Sequence, residues 1–339
     1  LYNKYLVLIV FFTLFVSCKQ NDNAEILFAE QEVPRSIWHN NIVIATDLSN
    51  RLNGDLYPRS ITDEDVTKAV ASTFKKSLSQ YNRIAMQRDR LSLKLINRRD
   101  ILNFNDLAEY LTIDLGTFGT NQARRIEYLR GKSEKTLDQD LAQFQETVKQ
   151  VYEGSKGNYY TSDIWGFLQQ GLTKSDFKLT NPTNSPKAVD KSRNILIIIT
   201  DGYLEHVSQH SGSCPKGNCR LLNSYQLKKF RRACNCKDDA YADLRSILDS
   251  SGLGITPVNN PDLANVEVLL LEVFDRSRSV SGSVKEIPSD YSILEAFWLD
   301  FFEASGAKRA KVVETANSSK DIEDAITDFV ESYDPRSEL

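Results

Sequence analysis

Two aspartates stand at the ends of apolar runs. Ile42-Val43-Ile44-Ala45 leads into Thr46-Asp47-Leu48-Ser49-Asn50-Arg51, and Ile195-Leu196-Ile197-Ile198-Ile199 ends in Thr200-Asp201-Gly202. Short continuous apolar runs of this kind read as strands buried on both faces, and an open parallel sheet binds its ligands beyond the C-terminal ends of its strands. The carboxylates of Asp47 and Asp201 and the hydroxyl of Ser49 are oxygen donors suited to a hard cation, Mg2+ or Mn2+, which wants about six oxygens and keeps some of its waters. Arg51 stands beside them and carries a permanent charge. Its guanidinium has two readings: it sits against Asp47 or Asp201 in place of a cation, or it points outward and recognises an acidic ligand.

The elements that would position these groups alternate along the chain. Thr62 opens a helix through Phe74 and Leu78, with Asp63, Glu64 and Asp65 in the first turn, where the helix dipole favours acids. Leu91, Leu93 and Leu95 alternate as in a strand with one covered face, and 111–115 reads as another short strand. Leu129, Leu137, Leu141, Phe144 and Val148 predict one long helix over roughly 121–152. A helix over 162–172, a Pro/Asn/Ser-rich connector over 180–191 and a helix over 238–248 follow. A strand at 266–274, an aromatic-rich helix at 289–305, a strand at 310–314 and a helix at 319–331 capped by Ser319 complete the series. Trp165, Phe167 and Leu168, like Phe297, Trp298, Phe301 and Phe302, have helical spacing and read as core. This alternation predicts an α/β fold, a doubly wound, mostly parallel sheet flanked by helices.

The residues resemble the von Willebrand factor type A domains, whose metal-ion-dependent adhesion site sits on a Rossmann-like sheet. In that family the first strand ends in D-x-S-x-S, a middle loop supplies a threonine, and a later strand ends in an aspartate often followed by glycine. Asp47 and Ser49 match the first motif, with Arg51 in place of its second serine, and Asp201-Gly202 matches the last. Thr161, after Gly157-Asn158-Tyr159-Tyr160, corresponds to the loop threonine, beside the further oxygen donors Ser162 and Asp163. The resemblance covers roughly 41–333. It implies a metal shell of Asp47, Ser49, Thr161 and Asp201, a Mg2+ or Mn2+ ion with one open position for a partner's carboxylate, and Arg51 as a ligand contact.

Lys4 precedes an apolar stretch at 5–16, roughly twelve residues and too short to span a bilayer comfortably, which reads as an export signal. Leu14-Phe15-Val16-Ser17-Cys18 resembles a bacterial lipobox. It predicts a signal peptide over 1–17, lipidation of Cys18, a tether over 18–40 and, beyond the domain, a tail at 334–339. The expected location is the cell envelope, anchored to a membrane and facing the periplasm or the surface.

Thiols outside the cytoplasm tend to pair. Cys214, Cys219, Cys234 and Cys236 lie in an insertion at about 205–237. Bridges crossing from Cys214/Cys219 to Cys234/Cys236 are the expected connectivity, because a Cys-x-Cys bridge strains its short ring. Each would close a loop of about 15 to 20 residues, worth about 3 kcal/mol. A structural zinc on these thiolates, with or without His206 or His210, is the alternative, although the spacing lacks paired C-x2-C knuckles.

A net charge of -4 with well-mixed signs creates no field for nucleic acid, and only three histidines disfavour a His-rich metal centre. Lys228, Lys229, Arg231 and Arg232 read as a solvated helix face or as a docking patch for an acidic partner or lipid headgroup. No nucleic-acid motif accompanies them. Phosphoryl transfer of the haloacid dehalogenase type needs a second acid two residues after the nucleophile, where Ser49 stands. There is no G-x-S-x-G, H-E-x-x-H or Walker-type loop. The expectation is therefore no enzyme but a lipid-anchored module that recognises a protein partner noncovalently with a divalent cation. A metal-dependent hydrolase and an envelope scaffold with a vestigial site are the alternatives.

Overall fold

Period-two alternation within the apolar runs sends side chains to both faces of one sheet, and each face meets its own core. Val43, Ala45, Leu196, Ile198, Val268 and Leu270 belong to one buried cluster, and Ile42, Ile44, Ile195, Ile197, Leu269 and Leu271 to another. The computed structural model describes residues 35–53, 59–78, 86–157, 162–182, 184–185, 187–205, 219–234, 236, 241–279, 282–283 and 285–333. The signal segment, Cys18, Thr161, His206, His210, Cys214 and the 334–339 tail lie outside these residues.

The elements in chain order are β1 (Arg35–Thr46), α1 (Asp63–Ser77), β2 (Arg90–Leu95), α2 (Arg98–Asn103), β3 (Thr112–Asp114), α3 (Gln122–Leu129) and α4 (Leu137–Ser155). The short turns α5 (Ile164–Gly166) and α6 (Lys174–Phe177), then β4 (Asn184–Ser185) and β5 (Ala188–Ile199), come next. They are followed by α7 (Ser224–Cys234), α8 (Tyr241–Ser251), β6 (Val266–Val273), α9 (Asp290–Ala304), β7 (Arg309–Glu314) and α10 (Ser319–Glu331). Strand order is β3-β2-β1-β5-β6-β7, with the short β4 on β5. β1–β2, β5–β6 and β6–β7 are parallel, and β2–β3 and β4–β5 are antiparallel. With β4 set aside this is the doubly wound order, which reverses between β1 and β5. The α/β class expected from the sequence is the class observed.

Each face is closed by helices whose apolar stripes match it. Val66, Val70 and Phe74 of α1, Phe144 and Val148 of α4, and Ile322, Ile326 and Phe329 of α10 cover one side. Trp298, Phe301 and Phe302 of α9, Leu227 and Phe230 of α7, and Leu244 and Leu248 of α8 cover the other. Each such side chain contributes about 1.5–3 kcal/mol of transfer free energy, so the two layers hold the sheet ends in fixed relative positions. Among the described residues no helix is long and apolar enough to cross a membrane.

Several boundaries differ from expectation. β1 starts at Arg35, so the last residues of the expected 18–40 tether are strand; buried Ile37 and His39 alternate with less buried neighbours. β5 starts at Ala188, inside the expected connector. The single helix over 121–152 is two, because Gly131 at φ +69° breaks the first and a capping box between Thr136 and Gln139 starts the second. The stretch over 162–172 is one α-helical turn followed by a π-helical turn at Phe167–Gly171. The cap of α10 is Ser318, whose hydroxyl accepts from the Asp321 amide, not Ser319.

Candidate functional site

Asp47 follows β1 at the point where strand order reverses, and its amide donates to the Ile199 carbonyl of β5 at 3.0 Å. One carboxylate oxygen accepts the Ser49 amide at 3.0 Å and the other the Thr200 hydroxyl at 3.0 Å. The side chain is buried. Asp201 leaves β5 on the same edge and is held in the same way. Its Oδ1 accepts the Tyr203 amide at 3.1 Å and its Oδ2 accepts Arg276 Nη2 at 2.8 Å. Arg276 also pairs with Glu205 at 2.7 Å and lies 3.7 Å over the Tyr203 ring.

Arg51 turns inward. It sits on the short 3-10 turn Asn50–Leu52, is 3% exposed, and its Nη1 donates to Asp63 Oδ2 at 2.6 Å. Asp63 is the first residue of α1, where the helix N-terminus favours an anion, and its other oxygen takes Arg59 Nη1. Arg59 Nη2 closes the loop onto the Arg51 carbonyl at 3.2 Å. The Nε and Nη2 groups of Arg51 have no hydrogen-bond partner among the described residues. Tyr152 backs the cluster, sharing its hydroxyl with Thr46 at 2.5 Å and Thr67 at 3.0 Å.

A third strand end contributes Glu272. The register of β6 against β7 slips between Leu270 and Val273, and Glu272 itself adopts φ +70°. The slip turns a charged side chain into the interior, fully buried, where Oε1 accepts the Ala316 amide at 3.1 Å and Oε2 has no partner among the described residues.

The electrostatics follow from burial. Desolvation pulls the Arg51 pKa down, but the carboxylates of Asp63, Asp47, Asp201 and Glu272 outweigh it and hold the guanidinium above its ordinary value. Burial raises the Asp201 pKa. Arg51 opposes that rise, Asp47 adds to it, and Arg276 and the Tyr203 amide oppose it. Burial likewise pushes Glu272 up to about 7; the Ala316 amide opposes, Asp63 adds, and Arg51 and Arg59 oppose.

Asp47, Ser49, Arg51 and Asp201 thus converge at one edge of the sheet, but the described donors do not fit a divalent cation. Each oxygen of Asp47 and Asp201 already accepts one hydrogen bond, from Ser49, Thr200, Tyr203 or Arg276, and a buried guanidinium supplies the positive charge a cation would bring. Among the described residues no group of three His, Cys, Asp or Glu side chains is placed to hold a metal. The neighbours of Thr161 have structural contacts: Ser162 Oγ accepts Asn97 Nδ2 at 3.3 Å, and Asp163 caps α5 through the Gly166 amide at 2.8 Å.

The cysteines depart from the expected crossing pattern. Cys234 and Cys236 are bridged to each other. The chain leaves the end of α7 so that their Cα atoms lie 5.0 Å apart, inside the range a disulfide spans. Cys219 is disulfide-bonded too, to neither of these two, so none of the three offers a thiolate to zinc. Its backbone is clamped to Thr256, with Cys219 N to Thr256 Oγ1 at 2.7 Å and Thr256 N to the Cys219 carbonyl at 2.6 Å.

Sequence reading did not assign Asp63, Arg59, Glu272, Arg276 or Thr200 to the site. The signal for Glu272 is a lone charge in Leu269-Leu270-Leu271-Glu272-Val273-Phe274. Asp63 resembles an ordinary first-turn acid, and only its pairing with two arginines distinguishes it.

Gly202 explains why a glycine follows Asp201. Its φ is +85°, a Cβ there would lie 3.0 Å from Val273 Cγ1, and its carbonyl accepts the Trp298 indole N–H at 2.8 Å. Gly202→Ala is expected to cost about 1–2 kcal/mol through the left-handed backbone alone. A lower urea midpoint at unchanged slope would show it, and an unchanged midpoint would refute it.

No family model and no curated protein matches the chain. Among solved structures it is similar to the pilus adhesin SpaC from Lactobacillus rhamnosus GG, at 10% identity and a TM-score of 0.36, over 89% of this chain and 30% of that one. The open conformation of the same adhesin aligns at 9% identity and a TM-score of 0.32, over 88% and 30%. The chain therefore spans about 30% of the length of these adhesin chains.

Proposed function

We propose that this chain is a von Willebrand factor A-like recognition module of the bacterial cell envelope whose ligand edge is held together by Arg51 instead of a divalent cation. The observation that carries this reading is the Arg51 guanidinium. It stands where the adhesion motif has its second serine, buried against Asp63 with Asp47, Asp201 and Glu272 around it. A guanidinium is a permanent cation, so the edge keeps one geometry whatever the magnesium concentration. Partner recognition is then noncovalent and independent of chelators. The hydrolase reading is weaker, because both oxygens of Asp47 are already held and Ser49 is a poor proton carrier. Export and anchoring through Cys18 belong to the proposal on the strength of the lipobox-like Leu14-Phe15-Val16-Ser17-Cys18.

The test is calorimetric titration of magnesium and manganese into the purified chain, with thermal melting in EDTA alongside. Neither ion is expected to give a binding isotherm, and the melting temperature should not move with EDTA. A one-site isotherm that disappears in Asp201→Ala would overturn the cation-free reading and restore the metal shell of Asp47, Ser49, Thr161 and Asp201.

A further inference from the structure

We propose that the outward face of α7 is a docking surface for an acidic, partly apolar segment of a partner protein. The proposal rests on the reading of the chain as a protein-recognition module and names the chemistry of its partner.

Helix α7 buries Gln226, Leu227 and Phe230, and Phe230 packs edge-on against Phe297 of α9 with ring centroids 5.5 Å apart. On the opposite side Tyr225, Lys228, Lys229 and Arg232 fall within about 100° of one another around the axis, at 100° per residue. Tyr225 is 58% exposed. The side chains of Lys228, Lys229 and Arg232 form no ion pair or hydrogen bond with any described residue. Among the described residues that leaves three cations without an acidic partner beside an exposed aromatic ring, on a chain whose net charge is -4.

Among the described residues, the acids beside Arg231 are already paired. Arg231, on the flank of the helix, pairs with Glu286 at 2.7 Å and Asp290 at 2.5 Å and donates from Nε to the Pro288 carbonyl at 2.8 Å. These bonds pin Glu286, Pro288 and Asp290, at the start of α9, against the flank of α7. Asp290 also accepts the Tyr203 hydroxyl at 2.6 Å, and the Tyr203 amide donates to Asp201. Arg231 is thereby linked through Asp290 and Tyr203 to Asp201.

Charge complementarity selects an acidic occupant, and the exposed Tyr225 selects one with an apolar residue among its acids. Eleven helical residues span about 16 Å, the reach of a short linear segment. A strip about 100° wide on a helix of this length suits a single segment of chain.

The probe is a fluorescein-labelled peptide of repeated Glu-Glu-Leu triplets, titrated against the full chain by fluorescence anisotropy at low and at physiological salt. Binding is expected to weaken with salt, and to fall about tenfold or more in K228E/K229E/R232E. Y225A should lose affinity without changing the salt dependence. The charge-neutral K228Q/K229Q/R232Q serves if the reversal variant fails to fold by circular dichroism. No binding by the wild type, or equal binding by wild type and variants, would overturn the proposal. Charge-dependent binding to phosphatidylserine vesicles but not to the peptide would overturn it in favour of a lipid surface. Failure here removes the α7 surface alone, because the cation titration decides the Arg51 reading separately.

Discussion

Arg51→Met is expected to destabilise the fold by about 3–5 kcal/mol, the cost of breaking a buried ion pair by removing one partner, even though Arg59 stays on the other oxygen of Asp63. The side chains of Arg51 and Asp63 are 2% and 0% exposed, so solvent cannot substitute for the lost guanidinium. Asp47, Asp201 and Glu272 would then share one low-dielectric corner with Asp63, and only the more peripheral Arg59 and Arg276 would oppose their repulsion. Arg51→Lys keeps the charge but loses the planar fork, and an intermediate loss is expected. Urea unfolding of the three proteins measures the effect. A loss below about 1 kcal/mol for Arg51→Met would mean that the guanidinium is an ordinary surface ion pair, and the cation-replacement reading would fall.

Glu272→Gln is expected to stabilise the chain at alkaline pH and leave it nearly unchanged in acid. The carboxyl is raised from 4.5 to about 7 in the folded chain, so its neutral form suits the buried site. Below about pH 4.5 both folded and unfolded chains carry the proton, and the favourable contribution is complete. As the pH rises the unfolded chain gives up its proton first, and the contribution is lost progressively until about pH 7. At 1.36 kcal/mol per pKa unit the loss amounts to about 3 kcal/mol. Glutamine stays neutral throughout and can still accept the Ala316 amide, so at pH 8 the variant should be more stable by about that amount. Urea midpoints at pH 4 and pH 8 give the two ends of the curve. A variant less stable than wild type at pH 8 would show that Arg51 and Arg59 hold Glu272 as a carboxylate at neutral pH.

The two predictions describe one corner from opposite charges. Arg51 compensates the acids, while Glu272 is the acid that compensation reaches least, with one oxygen on a backbone amide and the other unpartnered. The edge is cross-braced, its guanidiniums and carboxylates joined by direct bonds between Arg51 and Asp63, Arg59 and Asp63, and Arg276 and Asp201.

Much of this was legible in the residues alone. The two apolar runs ending in Asp47 and Asp201 set the strands, their burial on both faces and the edge where both acids meet, because a parallel strand must hide both faces and the first polar residues mark where it ends. The inward turn of Arg51 was one of two readings that a local motif leaves open. Its direction depends on Asp63, twelve residues away, and on Glu272 from another strand, and sequence spacing does not encode through-space charge. The bridge between Cys234 and Cys236 likewise depends on how the chain leaves α7. Sequence by itself determined the layers and the position of the site, since periodicity and burial are local properties. Tertiary structure alone decided what neutralises the site, since that is a sum over charges brought together from separate strands and helices.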